Sequence, residues 1–335
     1  MKGAIAGGGF FAGFHMDAWQ RMPDVEIAAV VDTDRIRAQV FAEQWKIPNV
    51  YADIREMLAV ERPDFVDIAT RPEAHLHLTA LVAAAKTHVI CQKPMAPTLE
   101  ESVAMVDICK QQHVRLLLHE NWRWQPWYRE VHRRIEDLGT MHYAGFRMRT
   151  GDGRGPAPYP SQPYFASMPK LLIYETLVHF LDTCRFLLGE IESVYCQTQR
   201  LNPLIAGEDA AQIHLRFVSG AVALIDANRI TGTMPPPVAF GEALFEGSKA
   251  RMTMSGDGDL HIRRHGQDDQ QIVYDKPATG YKGDSILAMQ RHFVTCLRTG
   301  EHCESEGEDY LNTVRAVFAC YESAEANATV RLSHL

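Results

Sequence analysis

The sequence predicts an α/β domain built on a doubly wound parallel sheet, followed by an α+β domain with an open, mostly antiparallel sheet. Three observations lead there. Short β-rich runs alternate with helical segments over the first third of the chain. A cluster of glycines follows the first of these runs. Beyond residue 190, strand-like runs succeed one another without intervening helices.

The elements follow in order. Lys2 to Ala6 reads as a strand, Ala12 to Arg21 as a helix, Val25 to Asp32 as a strand and Arg35 to Trp45 as a helix. A short helix at Asp53 to Leu58 precedes a buried strand at Phe65 to Thr70, a helix at His75 to Lys86 and a strand at His88 to Cys91. Leu99 to Gln111 has helical apolar spacing, and Arg115 to His119 is a fifth strand. Strands separated by helices of this length imply right-handed crossovers and parallel pairing. After Asn121 the rhythm changes, which puts the expected boundary between domains 1–121 and 122–335. A helix from Trp127 to Leu138 and a strand from Met141 to Thr150 lead into a loop dense in Gly and Pro, 151–160, read as either a substrate-side loop or a disordered excursion. Tyr174 to Leu188 reads as one helix closed by Gly189. Six strand-like runs between Val194 and Arg264 follow, then helices at Ser285 to Arg298 and Tyr310 to Ala326. Strands without helices between them pair antiparallel.

Composition narrows the function classes. The 335 residues are 46% hydrophobic and 23% charged, an ordinary globular balance that excludes disordered and fibrous classes. The net charge of −8 is spread along the chain and leaves no electrostatic footprint for nucleic acid or an anionic membrane. No stretch approaches ~18 uninterrupted apolar residues, and the opening residues lack the apolar core of an export signal. Seven scattered cysteines with no CxxC pair read as reduced cytoplasmic thiols.

The glycine cluster, Gly7-Gly8-Gly9-Phe10-Phe11-Ala12, lies between a strand and a helix, the context that makes it a Rossmann-type dinucleotide fingerprint. Gly7 permits the tight turn, Gly9 lets the backbone approach a pyrophosphate, and Ala12 allows close helix packing. Asp32, at the end of the second strand, suits the ribose hydroxyls of adenosine and repels a 2′-phosphate. NAD is therefore expected, with NADP as the alternative because Arg35 and Arg37 lie close by.

Thr70-Arg71-Pro72-Glu73-Ala74-His75, then Gln92-Lys93-Pro94, then Asn121-Trp122-Arg123 with Pro126, Glu175 to Asp182, and Tyr321 to Glu325 occur in an order and spacing that resemble the Gfo/Idh/MocA family of glucose-fructose oxidoreductase, inositol dehydrogenase and rhizopine catabolism. The resemblance implies that Lys93 projects from a strand end towards nicotinamide and substrate, and that Phe10, Phe11, Thr70, Arg71, His75, Gln92 and Asn121 line the cofactor. The family has Glu where this chain has Gln92, and Asp where it has Glu175. It also implies that His179 is the general acid/base, with Glu175 four residues before it on one helix face. Lys93, Arg123, Glu175 and His179 then form the expected substrate site.

No H-E-x-x-H or Cys/His cluster is visible in the sequence, so no metal is expected. The aromatic run Trp122, Trp124 and Trp127 fits stacking on a sugar or packing between domains equally well. The expected activity is hydride transfer between nicotinamide and a secondary alcohol of a sugar, inositol or related polyol, by a dimer or tetramer formed through the second domain's sheet. The alternatives are an NAD-retaining glycoside-processing enzyme and a non-catalytic NAD/sugar sensor.

Overall fold

A computed structural model describes residues 1–332. The chain divides into two compact units, and each is discontinuous in sequence. The first takes Met1–Trp124 and Ala278–Val314, the second Gln125–Pro277 and the chain from Arg315 onward.

In the first unit six strands run parallel: β1 (Lys2–Ala6), β2 (Glu26–Val31), β3 (Asn49–Tyr51), β4 (Phe65–Ile68), β5 (His88–Gln92) and β6 (Leu116–His119). Their spatial order, β3-β2-β1-β4-β5-β6, reverses between β1 and β4, where the crevice at the strands' carboxyl ends forms. Between them run α1 (Phe10–Gln20), α2 (Arg35–Trp45), α3 (Ile54–Glu61), α4 (Pro72–Ala84) and α5 (Leu99–Gln112). The sequence reading missed β3, whose three residues are too few for a period to show.

The chain returns to this unit after residue 277, whereas the sequence rhythm assigned everything beyond 121 to the second domain. The reason is packing. Ile286, Leu287, Met289 and Phe293 of the returning helix (Ser285–Thr299) share one core with Met16 and Trp19 of α1. An apolar stripe shows that a helix covers a core without showing which core.

The second unit is organised on a nine-stranded sheet in which all neighbours but one pair are antiparallel. The exception is the strand at Met141–Thr150, parallel to the strand at Val222–Thr233. The latter alternates strictly, with Ala223, Ile225, Ala227 and Arg229 all buried on one face. The helix expected at Tyr174 to Leu188 begins instead as a π-helical turn, Leu172–Leu177, and continues as an α-helix over Val178–Leu188. No helix of the described residues is long and apolar enough to cross a membrane.

Candidate active site

The glycine fingerprint folds as its residue types require. Gly7 has φ +99°, and a Cβ there would sit 2.7 Å from the Ala69 carbonyl oxygen, so a side chain is excluded on both counts. Gly9 caps α1 in extended backbone without a side-chain capping bond. A Cβ at Gly9 would meet no atom within 4 Å, so the backbone is uncrowded on that side where the first turn of α1 begins with its free N–H groups and partial positive charge. Ala12 is fully buried, Phe10 exposed, and Phe11 packs edge-on against His15 and Tyr281.

Asp32 follows β2 and accepts the Gly8 N–H at 2.9 Å, tying the two loops together. It also takes Arg37 Nε at 2.8 Å and Nη2 at 2.6 Å. Burial alone would raise its pKa, but the Arg37 bonds and the backbone N–H groups outweigh it and hold the carboxyl below its usual range. The open cradle at Gly9 and the acceptor at Asp32 fit a dinucleotide: N–H groups for the phosphates, a carboxylate for the ribose.

Lys93 stands at the end of β5, and its own N–H donates to Gln92 Oε1 at 2.6 Å. The Lys93–Pro94 peptide is cis. Thr70 and Arg71 follow β4 and lead into α4 through Pro72 at its first turn. His75 of α4 is fully buried with Nδ1 3.0 Å from the Met95 carbonyl and Nε2 3.2 Å from the Thr70 carbonyl. It therefore holds the loop after Lys93 to the loop after β4. Burial lowers its pKa despite the three carbonyls around it. Asn121 is buried with Nδ2 donating to Ser285 Oγ, and Arg123, also buried, donates to the Glu304 carbonyl.

In the second unit the π turn presents Glu175. Its N-terminal end is held by Glu208, which accepts the N–H groups of Leu171 (3.2 Å) and Ile173 (2.9 Å), and by Tyr321, whose hydroxyl accepts the Tyr174 N–H at 3.1 Å and donates to Glu208 at 2.6 Å. Burial first, and the Glu208 carboxylate next, push the Tyr321 phenol well up. Glu175 Oε2 accepts from Thr176 Oγ1 at 2.7 Å and lies 3.8 Å from Arg229 Nη1. His179 is buried one α-turn on, its carbonyl accepting from Thr183.

Arg229 is the residue the sequence reading missed. Its side chain is only 5% exposed, it pairs with Asp152 through Nε and Nη2, donates to Thr176 Oγ1, and lies over the rings of Tyr159 and Phe165 at 4.8 and 5.1 Å. Burial disfavours its charge, but the Asp152 bond and the surrounding carboxylates more than offset this and raise its pKa. The signal was present, since period two along Ala223, Ile225 and Ala227 puts residue 229 on the core face. Asp152 belongs to the Gly/Pro loop. That loop is ordered: Gly153 N–H donates to the Arg229 carbonyl, and Asn202 donates to the Gly153 carbonyl. Of the two readings of 151–160, the excursion is set aside.

Trp122, Trp124 and Trp127 are all buried, which favours packing over sugar stacking. Among the described residues one group of metal-ligand types not visible in the sequence comes together, His292, Cys296 and Cys303, whose ligand atoms lie within 4.8 Å of one another. The nitrogen nearest the Cys296 thiol, His292 Nε2 at 3.4 Å, already accepts the Glu304 N–H at 3.0 Å.

Residues 1–120 match the oxidoreductase family profile described as an NAD-binding Rossmann fold, and residues 128–250 match the GFO/IDH/MocA C-terminal domain. The chain belongs to the Gfo/Idh/MocA family. Within that family it is similar to the D-apiose dehydrogenase of Paraburkholderia graminis, at 34% identity over 100% of this chain and 90% of the relative. The D-apiose dehydrogenase of Rhizobium rhizogenes is 33% identical over 98% of this chain and 97% of the relative. A crystal structure of an oxidoreductase from Agrobacterium radiobacter in complex with NAD+, L-tartaric acid and magnesium superposes with TM-score 0.92 at 32% identity, over 99% of this chain and 98% of that one. This Gfo/Idh/MocA member is thus an NAD(P)-dependent oxidoreductase.

Proposed function

We propose that the protein is an NAD+-dependent dehydrogenase of a small free sugar, with D-apiose as the first substrate to test. The observation that carries this reading is the turn from Glu175, partly exposed and braced by Arg229, to the buried His179, in a chain similar over its whole length to two D-apiose dehydrogenases. NAD+, held by the Gly7–Gly9 cradle and by Asp32, supplies the hydride acceptor when bound. In the second unit His179 holds the proton released from the substrate hydroxyl, and in the first Lys93 offers an ammonium donor that stabilises developing negative charge. Glu175 orients the hydroxyl groups, with Arg229 and Thr176 holding its carboxylate in place. Thr70, Arg71, Phe10, Phe11 and Asn121 shape the nucleotide site, and His75 keeps two of its loops together. Asp32, whose carboxyl is held ionised, repels a 2′-phosphate and so favours NAD+ over NADP+.

Purified protein given D-apiose and NAD+ should accumulate NADH, more slowly with NADP+. Lys93→Ala and His179→Ala should each lower kcat by about a hundredfold or more, the scale of a lost general acid/base. Normal turnover by either variant would remove that residue from the chemistry. Turnover of L-tartrate but not D-apiose would move the reading to a hydroxy acid. NADH retained on the protein without net accumulation would favour the glycoside-processing alternative, and ligand binding with no reaction the sensor. We further place the protein in the cytoplasm, a reading supported by the absence of disulfides among the described residues. It assembles through the outer sheet face, where Tyr143, Tyr195, Leu224 and Leu244 keep partial exposure. A light-scattering mass of one chain would contradict that.

A further inference from the structure

Beneath Lys93 lies a row of buried polar groups; the family resemblance implied that Gln92 lines the cofactor, but Asp67 and His15 have no part in the binding and chemistry described above. Asp67 sits in β4 between Val66 and Ile68, fully buried like both. It accepts Trp19 Nε1–H at 2.7 Å and His15 Nδ1 at 2.9 Å. His15 Nε2 is 3.0 Å from Gln92 Nε2, and Gln92 Oε1 receives the Lys93 N–H at 2.6 Å. His15 has no exposure and Gln92 only 6%. The His15 ring stacks on His119 at 3.5 Å and 10°, and Gln290 Nε2–H reaches the His15 carbonyl at 3.3 Å.

The proton positions along this row follow from its one unambiguous end. A backbone N–H only donates, so the Gln92 atom facing Lys93 is the amide oxygen. The other end of that amide is then NH2, which donates, so His15 Nε2 carries a lone pair. The single imidazole proton is therefore on Nδ1, where it meets the Asp67 carboxylate. Trp19 also only donates, so Asp67 accepts at both contacts and every member of the row is satisfied.

Burying a carboxylate on β4 against an imidazole on α1 carries a desolvation cost that apolar side chains of the same size would not, so their bonds do not by themselves account for the pair. We propose that Asp67, His15 and Gln92 are positioning residues: a chain of fixed proton order that holds the Lys93 amide, and with it the point from which the lysine side chain departs. This deepens the reading of Lys93 as a substrate-facing group and rests on it.

Two substitutions can run the chain backwards. In Gln92→Glu, residue 92 becomes acceptor-only and needs a proton on His15 Nε2. Adding Asp67→Asn supplies an amide that can donate to His15 Nδ1, so in the double variant the single imidazole proton moves to Nε2 and Lys93 N–H keeps its acceptor. Gln92→Leu keeps similar bulk and removes both bonds.

The test is 15N NMR of histidine-labelled protein, the His15 signals assigned by their loss in His15→Phe, alongside D-apiose turnover, NADH affinity by fluorescence and melting temperature. The proposal expects an Nδ1–H tautomer in wild type and Nε2–H in the double variant. It expects kcat in Gln92→Leu to fall about tenfold, with NADH affinity within about threefold of wild type, as for a misplaced catalytic group. The double variant should recover most of that loss. An Nε2–H tautomer in wild type overturns the proton order. A folded double variant as slow as Gln92→Leu, or a Gln92→Leu protein of unchanged kcat, overturns the positioning role. If Lys93→Ala turns over normally, the reading of Lys93 has failed instead, while the tautomers still decide the proton order. If D-apiose is not turned over, NADH binding and the tautomers are read alone, and an unswitched double variant overturns the proposal.

Discussion

Arg229 shows how one residue can hold a site together and why removing it would be read on two scales. Its guanidinium is buried among Asp152, Thr176, Glu175 and two aromatic rings. Arg229→Met would strand the Asp152 carboxylate, which is only 17% exposed, and breaking a buried pair in this way costs about 3–5 kcal/mol. Adding Asp152→Asn removes the stranded charge, so urea denaturation should find much of the stability restored. Turnover should stay low in both variants, because Glu175 has lost its cationic neighbour in each. Equal recovery of stability and turnover would mean that Arg229 serves the fold alone. This residue was legible from alternation along its strand, as was Asp67, a charge inside a run otherwise read as fully buried. What the sequence withheld was the partner. Asp152 is 77 positions away in a loop whose glycines and prolines read equally well as order or disorder.

Among the elements, the π turn at Leu172–Leu177 matters most and was the least visible. Six residues span little more than one helical turn, too short for a pattern to separate a period of 3.6 from a wider one, so the segment reads as the start of one long α-helix. The widened turn persists because Glu208 and Tyr321 take up the N–H groups at its start. Tyr321→Phe removes the hydroxyl that joins Tyr174 N–H to Glu208. The buried groups it leaves behind predict a loss of about 1–3 kcal/mol in denaturant unfolding. The shift should also reach Glu175, one residue beyond Tyr174, lowering kcat with D-apiose more than it raises KM for NAD+. A stability loss with unchanged kcat would show that the turn holds its shape without this anchor. By contrast, five of the six parallel strands of the first unit, all but β3, were read to within two residues, because each is an apolar run bounded by loop residues.

At the scale of the whole molecule, buried histidines give the fold a pH dependence that begins close to neutrality. His75 and His119 are fully buried and His88 about half-buried, and in all three burial lowers the pKa below its ordinary value, helped at His88 by Arg115. The folded protein keeps these rings neutral, while the unfolded chain protonates them below about pH 6.5. Above that value neither state binds the protons, so they add no pH dependence. As pH falls below it, the unfolded state binds more protons and stability drops, each group steepening the slope by up to about 1.4 kcal/mol per pH unit. Asp32, Glu61 and Glu130, whose carboxyls are held below their usual range by cationic partners, act only where unfolded carboxylates titrate, near pH 4 and lower. The window between about pH 5 and 6.5 therefore belongs to the histidines. Urea midpoints should be level from pH 7.5 to about 6.5 and fall from there to pH 5.5. His119→Phe, which keeps a ring against His15, should flatten that fall by the share of one proton. A profile as steep as wild type in this variant would take His119 out of the account and leave His75 and His88 to carry it.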